Sequence, residues 1–354
     1  MSSKTGIACV LALMLNFGSS YPDCDAGITC YTITPSDKPD MTFDCSYVEG
    51  SGEGSVYLMH GNDGLKSKGM FFETMRQLGT LGYSSLACDA RGYSPGAAPD
   101  EYSAYNYDEL QGDIFSIVDA SGLSTPFGGQ FHLVSHDQGA RISWHAIAFG
   151  SGRQRFLSLT SLSIPHADVF SDSLVSDHPD ADQQEASQYV RELVLPNSTT
   201  FDGGSIWRNV CQGEGFATPE DCQKTLWWYN GAIDAGSMAL PPMMDYAPGS
   251  VAAWLGIPQA DVEAATQYSL DGVPQTVKVG NVTEFPVLYA CGGQDTSDLC
   301  KQEFSDQSSE LIANYTYLRV DSCGHDVLGC ASAQLFIDQI ILNIQSAGAA
   351  SGEN

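Results

Sequence analysis

The stretch HLVSHDQGARISW, residues 132–144, leads the apolar residues Leu133 and Val134 into a turn of small and polar residues, then into a pattern carrying Ala140, Ile142 and Trp144. This reads as strand, tight turn and helix, the layout that raises a nucleophile on a strained corner at a strand end. The backbone at such a corner is cramped, so the positions two before and two after the raised side chain must be small. Ser135 and Gly139 meet that condition around Asp137. With Ser135 at the corner instead, the flanking positions would be Leu133 and Asp137, and neither is small. The register therefore selects an aspartate, Asp137.

Working outward, apolar runs at residues 56–59, 84–88, 131–134, 157–164, 287–291 and 317–320 alternate with helical patterns near 70–81, 107–118, 138–149 and 331–344. Alternating strands and helices imply an α/β fold, a mostly parallel sheet covered by helices on both faces. Sites in such folds form at the carboxyl ends of the strands. From residue 166 to 276 the rhythm breaks into a segment rich in Asp, Gln, Trp, Met and Pro, including TLWWYNGAIDAGSMALPPMMDYAPGS. A structureless loop of that length does not suit a compact domain, so the segment reads as a mainly helical cap inserted between two strands. The expected division is a leader at 1–20, core at 21–165, cap at 166–276, core again at 277–345 and a flexible Ala/Ser/Gly tail at 346–354.

The 354 residues carry 15 Lys and Arg against 43 Asp and Glu, a net charge of -28. That balance argues against nucleic acid or anionic membrane as a partner, since both require basic patches. The N-terminal Lys4, the short apolar run 7–17 and small Gly18, Ser19 and Ser20 read as a secretory signal, too short to span a bilayer. Of 11 cysteines, Cys9 lies in that signal, and the remaining ten suit pairing in an oxidising compartment. Sequons at Asn197, Asn281 and Asn314 agree with secretion and a glycoprotein. No Cys-x-x-Cys pair supplies a zinc spacing, and no metal is expected.

Three further stretches carry chemistry. YLMHGNDG, residues 57–64, is a strand running into His60-Gly61, suited to turn backbone N–H groups toward a developing oxyanion. LACDARGYSPG, residues 86–96, reads as a structural turn held by Asp89, Arg91 and Gly92. An aspartate nucleophile attacks saturated carbon to give an alkyl ester, and then needs a base to set water against that ester. Among the 7 histidines, His325 in RVDSCGHDVLG follows the last strand and precedes the last helix, as an acid-oriented base should. Asp295, in FPVLYACGGQDTSDLC, is the orienting acid by its place past a strand and a Gly-Gly turn, with Asp298 in reserve. Cys291 and Cys300 bracket Asp295, and Cys323 and Cys330 bracket His325. These four are expected to staple the two loops, within each or across both, and Cys211 is expected to pair with Cys222 in the cap.

HGNDG, DARGYSPGA, HLVSHDQGARISW, SIPH and GHD, in this order and spacing, resemble the α/β-hydrolase superfamily, in its epoxide hydrolase and haloalkane dehalogenase branch. The resemblance runs from residue 42 to 344 and is strongest over 57–166. It implies the α/β-hydrolase fold with a helical cap, a small-molecule substrate and no cofactor. Asp137 takes the place of the nucleophile, His325 of the water-activating base and Asp295 of the orienting acid. TLWWYNGAI and DADQQEASQYVREL resemble the two cap-tyrosine motifs of epoxide hydrolases, which implies that Tyr229 and Tyr189 hydrogen-bond the opening epoxide oxygen. Three departures bear on substrate. Gln138 replaces the usual Trp after the nucleophile, and Asn62 and Asp63 replace an aromatic and a proline after His-Gly. Dehalogenases use Asn at the position of Asn62 to hold halide, and haloacetate dehalogenases use an arginine at the position of Arg141 to bind carboxylate. Asn62 and Gln138 would then floor the substrate pocket. The expected activity is opening an epoxide to a diol; the alternative is a dehalogenase using the same aspartate.

Overall fold

The computed structural model describes residues 25–61, 64–176, 178–187, 224–225, 228 and 278–350. Eight strands form one sheet: β1 (Thr29–Ile33), β2 (Phe43–Val48), β3 (Gly54–Met59), β4 (Tyr83–Cys88), β5 (Phe131–His136), β6 (Phe156–Leu162), β7 (Val287–Gly292) and β8 (Tyr315–Val320). Their spatial order is β1-β2-β4-β3-β5-β6-β7-β8. The pairings β1–β2 and β2–β4 are antiparallel, and all others are parallel. The described helices are α1 (Phe72–Thr80), α2 (Tyr107–Ser121), α3 (Asp137–Ala148), α4 (Gly152–Arg155), α5 (Ala167–Val175), α6 (Ala181–Ala186), α7 (Gln302–Leu311) and α8 (Ala333–Ala350).

Every residue of β3, β5 and β7 is buried, as strands covered on both faces require. Alternate side chains of a strand point to opposite faces. Val56 and Leu58 of β3 accordingly join Met75 and Leu78 of α1 and Phe336 and Ile340 of α8, while Tyr57 and Met59 join Leu110 and Ile114 of α2 and Trp144 of α3. Two helices thus cover each face, and the carboxyl ends of β3, β5, β7 and β8 are left to build a site.

The stretch around Arg91 is structural, as expected. The Arg91 guanidinium is buried and bonds both oxygens of Asp113 at 2.8 and 2.7 Å. Gly92 has φ 87°, and a Cβ there would lie 2.5 Å from the Lys224 carbonyl oxygen.

Two neighbouring strands, the edge strand β1 and β2 beside it, were not visible in the sequence. β1 and β2 read TCYTI and FDCSYV, polar and without a clean apolar run, and the Cys45–Cys88 disulfide ties β2 to β4. Helix α7, QEFSDQSSEL, was also missed because little of it beyond Phe304, Ser305 and Ser308 is buried. The first residues of the expected tail, from Ser346 to Ala350, lie in helix α8. Helix α8 continues to that residue, since small Ala and Ser residues cost a helix little, and Ser346 Oγ donates to the Asn343 carbonyl at 2.7 Å.

Candidate active site

Helix α3 begins at Asp137, directly after β5, with φ 47°. A non-glycine residue in the left-handed region costs of order 1 kcal/mol or more and persists only where packing enforces it. The enforcement comes from the neighbours. A Cβ on Gly139 would sit 2.3 Å from the His60 carbonyl oxygen and 2.8 Å from that of Met59. A Cβ on Gly61 would sit 2.5 Å from Asp137 Cβ. Ser135, two positions before, is fully buried and donates to the Thr160 carbonyl at 3.2 Å. The small-x-Asp-x-small frame is therefore a steric requirement of packing β3 against the corner. Asp137 is 3% exposed, and the N-terminus of a helix favours a negative charge.

His325 follows β8. Its Nδ1–H donates to Asp295 Oδ2 at 2.8 Å, and its Nε2 stands 3.8 Å from Asp137 Oδ1. Asp295 Oδ1 accepts from Ser297 N at 2.9 Å, Ser297 Oγ at 2.8 Å and Asp298 N at 3.0 Å, so the carboxylate is locked in orientation. Burial opposes a charge on His325, but the bond to Asp295 and the charges of Asp137, Asp295 and Asp298 outweigh it and raise the imidazole to about 10. Burial pushes Asp295 up, and the hydrogen bond and charge of His325 more than offset it, leaving the carboxyl below its usual range.

The loop bearing His325 is held by groups the sequence did not single out. His136, one residue before Asp137, donates from Nε2 to the His325 carbonyl at 3.0 Å, and Ser163 Oγ donates to the same oxygen at 3.3 Å. Ser163 has φ 69°, a second strained non-glycine residue at a strand end. The β7 loop packs directly on this one, since a Cβ on Gly292 would fall 2.1 Å from the Gly324 carbonyl oxygen. Of the two disulfide arrangements expected, the structure has the one within each loop: Cys291–Cys300 and Cys323–Cys330.

Asp298 does not bond His325. Its Oδ1 accepts from Arg141 Nη2 at 3.0 Å, and the guanidinium lies 4.9 Å from the Phe170 ring centre. Gln138 is fully buried, and neither amide atom has a hydrogen-bond partner among the described residues. His60 carries a structural load: Nε2 accepts from Ala90 N at 2.8 Å, and Nδ1 is 2.6 Å from the Gly61 oxygen. His132 and His136 are spaced four apart in sequence, but they bond Ser158 and the His325 carbonyl respectively and do not face a common ion. Asp137, Asp298 and His325 bring potential ligand atoms within 4.8 Å of one another, yet Asp298 already pairs with Arg141 and His325 with Asp295, so the cluster is an ion-pair network. Asn62, Tyr189, Tyr229 and the Cys211 and Cys222 pair lie outside the described residues.

A family model for the alpha/beta hydrolase fold matches residues 54–329. An epoxide hydrolase of Caballeronia sordidicola is 25% identical over 185 residues, 51% of this chain and 50% of that protein. Epoxide hydrolase 2 of Siraitia grosvenorii is 32% identical over 87 residues, 25% of each. The chain thus spans half the length of the first of these relatives and a quarter of the second. Among solved structures, one of the epoxide hydrolases found in metagenomes from hot environments aligns with TM-score 0.63 at 21% identity, over 90% of this chain and 98% of that one. A putative acyltransferase from Salmonella enterica also aligns with TM-score 0.63, at 15% identity, over 94% and 99%. An epoxide hydrolase mutant from Bacillus megaterium, complexed with its product, aligns with TM-score 0.55 at 17% identity, over 89% and 99%. At these identities structural likeness speaks for the fold, and a fold hosts many chemistries. The strained corner at Asp137, the eight-stranded mostly parallel sheet behind it and the match over residues 54–329 agree that this chain belongs to the alpha/beta hydrolase family.

Proposed function

We propose that the chain is a secreted epoxide hydrolase in which Asp137 attacks an epoxide carbon and His325, oriented by Asp295, activates water against the resulting ester. The observation that carries this reading is one line of groups: a carboxylate on a strained corner, an imidazole Nε2 3.8 Å from it, and a second carboxylate 2.8 Å from the far ring nitrogen. At 3.8 Å the Nε2 is too distant to hydrogen-bond Asp137, and is placed to hold a water near its carboxyl carbon. An aspartate at the corner suits attack on saturated carbon, because displacement there gives an ester that can be hydrolysed.

Residues 166–276 form the cap in this proposal, between core segments 21–165 and 277–345. Tyr189 and Tyr229 would hydrogen-bond the epoxide oxygen from the cap as it becomes an alkoxide, and Asn62 and Gln138 would line the floor. Names of the matched relatives support an epoxide over an organohalide. Arg141 weighs against a haloacid, because its guanidinium is engaged by Asp298 instead of standing ready for a substrate carboxylate. Secretion is supported by the Cys45–Cys88, Cys291–Cys300 and Cys323–Cys330 disulfides and by exposure of the Asn281 and Asn314 sequons. No helix among the described residues is long and apolar enough to cross a membrane.

A panel of styrene oxide, phenyl glycidyl ether, 1-bromobutane, chloroacetate and phenyl acetate tests the reading. Diol formation from an epoxide, without halide release, is the expected result. Halide release with no diol would replace epoxide hydrolysis with dehalogenation, and turnover of phenyl acetate alone would remove Asp137 from the nucleophile's role.

A further inference from the structure

Three carboxylates surround one imidazole in this site, and the mechanism above uses two. The third, Asp298, is 1% exposed at its side chain and is held from below by Arg141, itself 4% exposed. Asp298 Oδ2 has no hydrogen-bond partner among the described residues, and points its charge at His325 Nδ1 from 3.8 Å while Asp295 occupies the bond to that nitrogen. A carboxylate oxygen sealed from water without a donor is costly, and so is crowding it against Asp137 and Asp295. A pair serving stability alone would be expected to satisfy both oxygens or to give way to apolar side chains.

We propose, on the reading that Asp137 forms an ester and His325 activates water, that Asp298 is a positioning residue that stabilises the His325 imidazolium by charge alone, while Asp295 supplies orientation. The division of labour follows from the reaction. Esterification removes the Asp137 charge that helps hold His325 protonated, so the imidazole releases its proton as the former epoxide oxygen takes one up. Water oxygen then bonds to Asp137 Cγ as one water proton passes to the neutral His325 Nε2. The tetrahedral species then collapses, its Cγ–O bond to the substrate carbon's oxygen breaks, and His325 returns the proton to that oxygen. The second water proton leaves as Asp137 ionises and replaces the one taken up by the former epoxide oxygen. His325 is cationic between these two transfers, at a time when the Asp137 charge is consumed in the ester or spread over the tetrahedral species. Asp295 and Asp298 are the anions that remain beside it.

The surroundings of Asp298 make its charge costly in the resting site and easier to hold in the ester. Burial pushes its carboxyl up to about 6, Arg141 and His325 oppose that rise, and Asp137 and Asp295 add to it. Esterification of Asp137 removes one of the two repelling charges, so Asp298 ionises more readily in the intermediate, when its charge is needed. On the remaining side Gln183 of α6, neutral, bonds the Ser297 oxygen and the Leu299 N–H and fixes the loop that carries Asp298.

The test separates the two half-reactions in the full-length protein by rapid quench and intact mass, with styrene oxide and phenyl glycidyl ether as probes. Asp298→Asn should slow ester hydrolysis by about 10- to 100-fold, the size expected for a charge lost at close range in a buried site, and leave alkylation within about threefold. Because that variant removes the Asp298 charge that pairs with Arg141 and can misfold, the doubly neutral Asp298→Asn/Arg141→Gln protein is measured beside it and should show the same slow hydrolysis. In both, the proton affinity of His325, followed by NMR of labelled histidine, should fall by about tenfold or more. Hydrolysis within about threefold of the unmodified protein, or an unmoved His325 titration in the double variant, overturns the proposal and leaves the epoxide hydrolase reading standing. Failure of the unmodified protein to turn over or be alkylated by either epoxide overturns both.

Discussion

Asp137 stands on a corner that backbone atoms close in on from three sides, whereas His325 stands on a loop tied down by bonds. Around Asp137 the fixing contacts are the His60 and Met59 carbonyls against Gly139, and the bare Cα of Gly61 against the aspartate itself. Around His325 they are the Asp295 carboxylate, two donors to its own carbonyl, and a disulfide seven residues long. Exposure follows the same division: the Asp137 side chain is 4% exposed and that of His325 31%. Close packing gives a position with no slack and no tolerance for an added atom, while a bonded loop can lose one tie and keep its path. The half proposed to make the covalent bond is thus the rigid one, and the half proposed to move protons is assembled from separable parts.

That contrast can be broken in order of expected size. Gly139→Ala places a methyl group where backbone oxygens already stand, and backbone cannot swing aside as a side chain can. We expect a loss of about 2 to 4 kcal/mol in urea unfolding, the upper range for overpacking. A loss under about 1 kcal/mol would mean that the corner is looser than its contacts imply. On the other half, Cys323→Ser/Cys330→Ser releases a short loop, for which the chain-entropy relation gives about 2.5 kcal/mol. The protein should remain folded with Asp137 still reactive, and a loss of all alkylation would show that the His325 loop also supports the corner.

A smaller effect sharpens the comparison through pH. His325 is raised from the ordinary 6.5 to about 10 in the folded chain. Between these values the folded protein keeps a proton that the unfolded chain has released, so stability falls as pH rises. The contribution is complete below about pH 6.5 and gone once pH passes about 10. Thermal unfolding of the unmodified protein and of His325→Gln, at pH 6 and pH 10, isolates it, because other titrating groups are shared. The gap between the two should narrow toward pH 10; a constant gap would mean that the imidazole is not held as a cation. Its partial exposure to screening water keeps the effect below those of the packing and crosslink variants.

The rigid half was the legible one. Steric rules act over a few neighbouring residues, so Ser135, Asp137 and Gly139 announced the corner, and buried strands such as VLYACG announced themselves by apolar runs. The bonded half was legible only in outline. His325 and Asp295 could be placed by their positions after strands, but the Arg141–Asp298 pair joins residues 157 apart and His136 meets the His325 carbonyl across 189. No local pattern encodes such meetings, because the sheet order creates them. The polar strands β1 and β2 escaped for a related reason: the pairing of β1 with β2 and of β2 with β4, rather than their own periodicity, makes them strands.

The role of Asp137 is tested most directly by intact mass of the His325→Gln protein after exposure to an epoxide. Removing the base leaves attack by Asp137 possible and blocks hydrolysis, so an ester should accumulate, heavier than the protein by the whole mass of the epoxide and lost when Asp137→Asn is added. With 1-bromobutane a trapped adduct would be lighter, by the hydrogen bromide that departs. If the variant gathers no adduct from any epoxide while the unmodified protein hydrolyses phenyl acetate, Asp137 is not the nucleophile, and the corner on which it stands serves another chemistry.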